Sequence, residues 1–205
     1  DDGFQHQYVK RDLNILLTDF SNPFYKDFIL PVGRLREHRK AAKRADIIIV
    51  TKCPKDLNPA LEIEIKKRIR FYSSATISFT NITYEGLINH HNKKTSLDTK
   101  KKYLLVTSIA NPNSIYEYLN ENKVQFTAKK YRDHHNFTKT QIQEIITISK
   151  KHDAIITTEK DWMRLKETEL VNAVSLDILR LRMKIEFIHS KENLKFKDQI
   201  TSLIK

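Results

Sequence analysis

Short apolar runs alternate along the chain with longer segments that are rich in charged and polar residues. The clearest run is 46–52, in which Ile47, Ile48, Ile49 and Val50 follow one another without a polar interruption. An unbroken run of β-branched residues predicts a parallel strand that is covered on both faces. Weaker runs predict further strands at 13–19, 76–80, 103–108, 123–128, 153–157, 176–179 and 183–188.

Helices are predicted between most of these strands. Asn111 and Pro112 are typical of a helix start, with Asn as the N-cap and Pro at the first helical position. Thr138 and Gln141 have the spacing of a capping box, and Thr158 is predicted to cap a short helix. The full set of predicted helices is 35–45, 61–71, 111–119, 138–151, a short helix after 158 and a final helix from 191.

The alternation of strands and helices favours an α/β fold, with a mainly parallel sheet flanked by helices. The segment 89–102 is polar and ends in three lysines, which predicts a linker or an exposed hairpin. We therefore expect a first α/β domain at 1–88, the linker at 89–102, and a second α/β lobe at 103–205.

Composition narrows the classes of partner. A hydrophobic content of 40% in 205 residues supports a packed core, and the net charge of +12 favours an anionic partner. Nucleic acid, nucleotide phosphates and an anionic bilayer surface all fit that charge. The single cysteine, Cys53, excludes an intrachain disulfide and a Cys-based zinc cluster, and fits a reducing compartment. No apolar run approaches the roughly 18 residues that a membrane-spanning helix needs.

The chain opens with two adjacent carboxylates, Asp1 and Asp2, followed within four residues by Gln5 and His6. Oxygen ligands of this kind suit Mg²⁺, although an ordinary polar turn is compatible with the same residues. Only three glycines are present, and nothing matches a phosphate-cradling loop. We therefore expect the chain to be a piece of a larger enzyme, and we expect this piece to have been cut just in front of the metal motif.

Two later motifs follow predicted strands. Asp133, His134 and His135 lie before the capped helix at Thr138, where a histidine can act as an acid or base; a solvent-facing surface loop is the alternative. Lys160 lies in the first turn of the helix after Thr158, where a cation is unfavourable unless it meets an anion. A well-capped helix with a lysine that reaches the solvent is the alternative there.

Taken together, the motifs resemble the tetraacyldisaccharide 4′-kinase family, the lipid A 4′-kinases of Gram-negative envelope synthesis. The similarity extends from Asp1 to about Leu165 and becomes thin beyond it. Two departures stand out: Ser108 replaces a glycine, which should tighten that turn, and Gln7 replaces a basic residue. The matching segments, in order, are 1–6, 11–19, 31–37, 44–46, 108–112, 133–135 and 158–161.

The resemblance implies transfer of the γ-phosphate of ATP to the 4′-hydroxyl of tetraacyldisaccharide 1-phosphate. Asp1 and Asp2 would bind Mg²⁺ as a Walker-B-like motif. A histidine of the 133–135 motif, preferably His134, would pair with a catalytic aspartate that precedes Asp1. Among the residues expected to bind the nucleotide, Gln5 and His6 would lie beside the two acids. Arg36 and Glu37 would border the nucleotide, and Lys160 would supply a further charge without direct contact.

The same resemblance implies a P-loop NTPase-like fold whose phosphate loop precedes Asp1, so that 1–88 is the remainder of that domain. The chain alone is then expected to be inactive. The implied partners are a lipid A precursor and an anionic membrane surface, with no nucleic acid. The implied location is peripheral, at the cytoplasmic face of the bacterial inner membrane.

Two other classes of protein remain open on sequence alone. A metal-dependent phosphoesterase with an Asp-His-His motif would need a second cluster of acidic or histidine ligands, and would bind two metal ions tightly. A basic nucleic-acid-binding module would need stacking aromatic residues on a basic face, and its RNA binding would depend steeply on salt.

Overall fold

The computed structural model describes residues 3–6, 8–133 and 135–203. By its contacts the chain forms two units, Asp1–Ile82 with Ile185–Lys205, and Thr83–Lys184. In chain order the elements are β1 (Ile15–Asp19), β2 (Ile47–Thr51), α1 (Pro59–Arg70), β3 (Thr76–Ile88), β4 (Lys94–Thr95), β5 (Lys102–Thr107), α2 (Asn113–Glu121), β6 (Gln125–Lys130), α3 (Lys139–Ser149), β7 (Ala154–Thr158), α4 (Glu159–Leu165), α5 (Leu170–Ala173), β8 (Asp177–Phe187) and α6 (Ser190–Leu203). Short 3₁₀ helices lie at Phe24–Lys26 and Arg39–Arg44.

The first unit is built on a parallel sheet in the order β1-β2-β3. The predicted apolar run forms β2, the central strand, and Ile47, Ile48, Ile49 and Val50 are all buried. Helix α1 begins after the Asn58 cap, and its Ile65 and Ile69 join the core under the sheet. Continuous burial of β2 is the expected consequence of a central parallel strand.

The start of α6 is fixed to the first unit by polar contacts. The backbone N–H of Phe79 donates to Glu192 Oε2 (3.1 Å), and the N–H of Ile188 donates to the Phe79 carbonyl (2.9 Å). His189 Nε2 lies 2.9 Å from Glu62 Oε2 on α1. These contacts hold the end of the chain against residues far away in sequence.

The second unit contains a parallel sheet in the order β8-β7-β5-β6. Tyr103, Leu104, Leu105 and Val106 of β5 are almost fully buried because helices pack on both faces. The capping box predicted for α3 is present, with the Thr138 and Gln141 side chains each bonded to the other's backbone. The α/β fold class, with a mainly parallel sheet and flanking helices, is therefore confirmed.

Part of the predicted linker pairs with a strand. β4 lies antiparallel to the end of β3, with Leu87 opposite Thr95, so 89–93 closes a hairpin. The predicted boundaries at 88 and 102 remain a prediction.

Three local predictions are wrong. The segment 35–45 contains no α-helix, because Leu35 pairs with Phe28 and the chain then forms only the 3₁₀ turn that His38 caps. The two late strands, 176–179 and 183–188, are one continuous strand, β8. The cap of α2 is shifted by one residue: Pro112 is the N-cap, and Asn111 Oδ1 accepts from the Asn113 N–H (3.0 Å).

Candidate functional site

Two loops and one helix of the second unit start at one edge of its sheet. Strands β5, β6 and β7 are parallel, so their carboxyl ends lie at the same edge; loops begin there at Ser108 and Tyr131, and helix α4 begins there at Glu159. The Tyr131 N–H donates to the Thr107 carbonyl (2.8 Å), and Lys130 Nζ donates to the Ala110 carbonyl (3.2 Å). Such an edge is the usual ligand crevice of an open α/β sheet.

A buried carboxylate connects the loop after β5 to the first turn of α4. Asp161, fully buried in the first turn of α4, accepts from the Ser108 N–H at Oδ2 (2.9 Å) and from the Ser108 hydroxyl at Oδ1. The Thr158 hydroxyl also donates to Oδ2 (2.8 Å), and the Asp161 N–H donates to Thr158 Oγ1 (3.0 Å). Arg164 Nη1 lies 3.6 Å from Oδ1 and donates to Ser108 Oγ (3.0 Å). The predicted Thr158 cap is thus confirmed.

This network explains the serine at 108. Its hydroxyl is fully buried and bonds to both Asp161 and Arg164, so it acts as a bridge between charged groups. The sequence places Ser108 and Asp161 in separate motifs, 53 residues apart, and gives no sign of the contact between them. The only signal in the sequence is that both motifs follow parallel strands.

Lys160 brings the two later motifs together. Its Nζ lies 3.6 Å from Asp133 Oδ1, and the two side chains are 44% and 41% exposed. Ion pairs at this exposure contribute at most about 1 kcal/mol, so the ammonium can exchange the carboxylate for an anionic ligand at little cost. A lysine in the first turn of α4 therefore meets an anion, as the sequence suggested it should.

His135 is oriented by the cap of α3. Its Nε2 lies 2.7 Å from Gln141 Oε1, which also accepts from the Thr138 N–H (3.0 Å). Because a carbonyl oxygen cannot donate, Nε2 must carry the hydrogen, and the ring cannot accept a proton there. The ring also stacks on Tyr131, with centroids 5.2 Å apart. His134, the preferred catalytic residue, lies outside the described residues.

Tyr131 is unsuited to act as a base near neutral pH. Burial, with a smaller contribution from the Glu144 carboxylate, raises the pKa of its hydroxyl to about 12. The phenol therefore stays protonated, and its ring serves as a surface against which His135 and Phe137 pack.

In the first unit, the predicted residues near the start of the chain are held by two arginines. Arg11 Nη2 donates to the carbonyls of Gly3 (3.1 Å) and His6. Arg44 Nη2 donates to the Phe4 carbonyl (3.1 Å) and to Glu37 Oε2 (2.6 Å). Arg11 and Arg44 lie in the matching segments 11–19 and 44–46, but the sequence predicts no role for either side chain.

Glu37 thereby lies near the opening motif, because Arg44 contacts both the Glu37 carboxylate and the Phe4 carbonyl. Its carboxylate is engaged by Arg44, while Arg36 is exposed, Gln5 is half-buried and His6 is exposed. Nucleotide contacts by these four residues remain predictions. Asp1 and Asp2 lie outside the described residues, so the structure does not test them as metal ligands.

Within the described part of the chain, one group of three side chains has the spacing of a metal site: Glu62, His189 and Glu192, with ligand atoms within 4.8 Å of one another. Lys66 Nζ lies 2.5 Å from Glu62 Oε1 and supplies a positive charge there already. This group is in the first unit and includes neither Asp133 nor His135. The two-metal phosphoesterase alternative gains no support from it.

Comparison with known proteins decides the family. The family model described as "LpxK: Tetraacyldisaccharide-1-P 4'-kinase" matches residues 1–205. The chain belongs to this family. The resemblance drawn from the sequence motifs is thus confirmed, and the match extends beyond Leu165 to the end of the chain.

Several curated relatives are named tetraacyldisaccharide 4′-kinase. The protein from Flavobacterium johnsoniae is 39% identical over 196 residues, which is 94% of this chain and 55% of the relative. The protein from Flavobacterium psychrophilum is 42% identical, and the match covers 82% of this chain and 49% of the relative. The protein from Bacteroides fragilis strain YCH46 is 35% identical, and the match covers 94% of this chain and 55% of the relative. The chain spans about half the length of the curated relatives it matches.

A solved structure has the same fold. The crystal structure of LpxK from Aquifex aeolicus, described as an "apo" form in complex with ATP, matches with a TM-score of 0.65 and 21% identity. The match covers 100% of this chain and 56% of that one. At this identity the likeness is one of fold, in agreement with the α/β class predicted from the sequence.

Proposed function

We propose that the protein transfers the γ-phosphate of ATP to the 4′-hydroxyl of tetraacyldisaccharide 1-phosphate, a lipid A precursor. One observation carries this proposal: the family model of the tetraacyldisaccharide 4′-kinases matches the whole chain, 1–205. The Aquifex aeolicus relative was crystallised in complex with ATP, which agrees with the proposed nucleotide. The polar groups at the carboxyl edge of the second unit's sheet, among them Asp133 and Lys160, also support this proposal.

Asp1 and Asp2 are proposed to hold Mg²⁺, because paired carboxylates are the oxygen donors that this hard cation prefers. When bound, the ion would neutralise charge on the phosphates. The contribution of the chain's own residues is orientation. Arg11 and Arg44 fix the carbonyls of Gly3, Phe4 and His6, so the backbone immediately after the two acids is held in place.

Lys160 is proposed to bind a phosphate oxygen of the nucleotide. Asp133 forms an exposed ion pair with it at 3.6 Å. A phosphate carries more negative charge than a carboxylate and offers more acceptor oxygens, so it would compete well for the ammonium. Asp161 and its contacts to Ser108 and Thr158 hold the turn from which Lys160 projects.

His134 is proposed to pair with the aspartate that acts as the base, and to tune it for that role. Support comes from its neighbour: His135 is already committed to Gln141 through Nε2. The contact with Gln141 gives His135 a structural role, which favours His134 for the chemistry. A base tuned in this way accepts the proton of the 4′-hydroxyl as the phosphoryl group is transferred.

The partners are proposed to be the lipid A precursor and an anionic membrane surface, with the protein bound peripherally at the cytoplasmic face of the inner membrane. The net charge of +12 supports attraction to such a surface. Among the described residues, none of the helices has both the length and the apolar character needed to cross a bilayer.

The experiment is a phosphotransfer assay on the full-length protein, with γ-labelled ATP, Mg²⁺ and tetraacyldisaccharide 1-phosphate. The product is identified by mass spectrometry and by the position of the new phosphate. Transfer to the 4′-hydroxyl is the expected result. ATP hydrolysis without a phosphorylated lipid, or no turnover at all, would contradict the proposal.

A matched pair of lysines sharpens the assay. Lys160→Gln should lower kcat/KM for ATP by about tenfold or more, since a charge-assisted contact to phosphate is worth roughly 1.5–3 kcal/mol. Lys166 is the control, because it is exposed and lies at the other end of α4. Lys166→Gln should leave kcat/KM unchanged. Equal values for the two variants would exclude the assigned role of Lys160.

A further inference from the structure

Four large apolar side chains face the solvent in one short loop of the first unit. This apolar loop consists of Phe28, Ile29, Leu30, Pro31 and Val32. Phe28 is 60% exposed, Ile29 41%, Leu30 58% and Val32 82%. Single exposed apolar residues are ordinary on a protein surface, but a consecutive group of this size usually marks an interaction site.

The apolar loop is a built structure with a defined shape. The Leu30 N–H donates to the Leu35 carbonyl (2.9 Å), and the Leu35 N–H donates to the Phe28 carbonyl (3.0 Å). Gly33 allows the chain to fold back this tightly, because a Cβ at this position would lie 2.2 Å from the Phe28 carbonyl oxygen. The backbone therefore holds the apolar side chains outward, and their exposure is a property of the fold.

Basic residues surround the apolar loop. The segment 26–44 contains seven Lys and Arg residues against two acids, Asp27 and Glu37. Both acids are already neutralised, Asp27 by Arg34 at 3.1 Å and Glu37 by Arg44 at 2.6 Å. The segment that contains the loop therefore carries an excess of positive charge.

One arginine joins the charged and apolar parts directly. Arg39 Nε donates to the Asp27 carbonyl (2.7 Å), and its guanidinium lies over the Phe28 ring, 4.8 Å from the centroid. An apolar tip with cations immediately behind it matches the layers of a membrane interface, where acyl chains lie beneath a plane of phosphates.

We propose that the apolar loop inserts into an anionic bilayer surface, with Leu30 and Val32 among the acyl chains and the basic residues at the headgroup phosphates. Charge complementarity selects this occupant. A second copy of the same loop would bring two positive segments together, which is unfavourable. The proposal specifies how the membrane partner of the proposed function is bound, but its tests involve neither ATP nor phosphotransfer, so the two can fail separately.

The first experiment measures sedimentation of the full-length protein with vesicles of phosphatidylcholine that contain about 30% phosphatidylglycerol, a typical anionic fraction. The double variant Leu30→Ser/Val32→Ser should bind about tenfold more weakly or worse, because two aliphatic side chains no longer enter the bilayer. The control Ile63→Ser/Leu194→Ser removes two residues of similar exposure, 67% and 63%, from helices. It should bind as the wild type does. Equal loss in both variants would overturn the proposal.

The second experiment removes charge without touching the apolar loop. Lys40→Gln/Lys43→Gln replaces two exposed lysines of the basic segment, and Lys150→Gln/Lys151→Gln replaces two exposed lysines at the end of α3. The first variant should bind anionic vesicles about 30-fold more weakly, the effect expected for two lysines at a charged surface, and the second should change less. On pure phosphatidylcholine the first variant and wild type should be equal. If Lys150→Gln/Lys151→Gln weakened binding more than Lys40→Gln/Lys43→Gln, the membrane would contact another face of the protein and the proposal would be wrong.

The third experiment places a probe on the loop. Cys53 is 5% exposed, and burial raises the pKa of its thiol to about 12, so a maleimide should label Val32→Cys selectively. The emission of an environment-sensitive dye at this position should shift to the blue with anionic vesicles, while the emission of the same dye at Ile63→Cys should not.

Two outcomes would contradict the proposal. A thiol at position 32 that does not react without vesicles would show that protein covers the loop. Self-association that Leu30→Ser/Val32→Ser abolishes would identify a second copy as the occupant. Either result refutes membrane insertion.

Discussion

The carboxylate of Asp161 accepts hydrogen bonds from both the backbone N–H and the hydroxyl of Ser108, a residue 53 positions earlier in the chain. The first of these bonds is 2.9 Å long, and both residues are fully inaccessible to solvent. The pair ties the loop after β5 to the first turn of α4. Lys160, which lies next to Asp161, is thereby held at the edge of the crevice.

We expect Asp161→Ala to lower the free energy of unfolding by about 3 kcal/mol, because it leaves buried donors of Ser108 and Thr158 without an acceptor. Urea denaturation followed by the fluorescence of Trp162, the only tryptophan, reports on this helix directly. A double-mutant cycle with Ser108→Ala should show a coupling of about 1 kcal/mol or more. Glu167→Ala, an exposed position, is the control and should change little. Additive effects at 108 and 161 would contradict the network.

The cap of α3 gives a second prediction. Gln141→Ala removes the acceptor shared by the Thr138 N–H and His135 Nε2, and should cost about 1 kcal/mol of stability. Nitrogen NMR of the wild type should find the neutral His135 ring protonated at Nε2, and the variant should show a mixture of tautomers. Gln143→Ala, which replaces an exposed glutamine on the same helix, should leave the tautomer unchanged. A neutral wild-type ring protonated at Nδ1 would rule out the donation to Gln141.

The two histidines should differ in their effect on activity. We expect His134→Ala to lower kcat by about 10²–10⁴-fold, the usual range for a general acid–base group or its direct partner. KM for ATP should change little, because the interaction matters most in the transition state. His135→Ala should be milder and should act mainly through stability, since that ring contacts Gln141 and Tyr131. If neither substitution changes kcat by as much as about fivefold, the loop is structural.

The metal assignment is tested at the start of the chain. In the full-length protein, Asp1→Ala and Asp2→Ala should each lower kcat strongly, because a lost Mg²⁺ ligand removes several kcal/mol of transition-state stabilisation. Asp12→Ala is a matched control, since Asp12 is an exposed acid close in sequence. Titration with Mn²⁺ as a paramagnetic substitute should show weaker binding in the first two variants only. Near-wild-type rates for both would remove these residues from the site.

The attachment of α6 should depend on pH through Glu62. Burial by itself would raise the pKa of this carboxyl, but hydrogen bonds from Lys66 and His189, together with their charges, bring the pKa below its ordinary value. A lowered carboxyl pKa stabilises the fold above the unfolded-state pKa of about 4.3, and that stability is lost as the pH falls through the folded-state pKa.

The measurement compares the wild type with Glu62→Gln at pH values from neutral to acidic. The wild type should be more stable at neutral pH, and the difference should shrink below about pH 4. Burial raises the pKa of the neighbouring Glu192 carboxyl, which gives a contribution of opposite sign. Glu64→Gln, on the exposed side of α1, should show no such dependence. A difference that is constant with pH would exclude the assigned pKa shift.

Local patterns in the sequence determined most of the elements. The β-branched run at β2 and the Thr138 capping box give the correct structure because each depends on residues within a few positions of one another. The family resemblance also rests on short motifs, and the family match confirms it. Patterns failed at 35–45, where helix-forming residues form a loop because backbone groups pair with Phe28 instead.

Only the tertiary structure decided which motifs meet. The contacts of Asp161 with Ser108, of Lys160 with Asp133, and of Arg44 with Glu37 and Phe4 join residues 7 to 53 positions apart. Spacing in the sequence contains no record of such contacts, because parallel strands bring their carboxyl ends together whatever the length of the chain between them. The exposure of the apolar loop is likewise decided only by the tertiary structure. Composition does not decide whether these apolar side chains are buried, and the backbone pairing around Gly33 turns them toward the solvent.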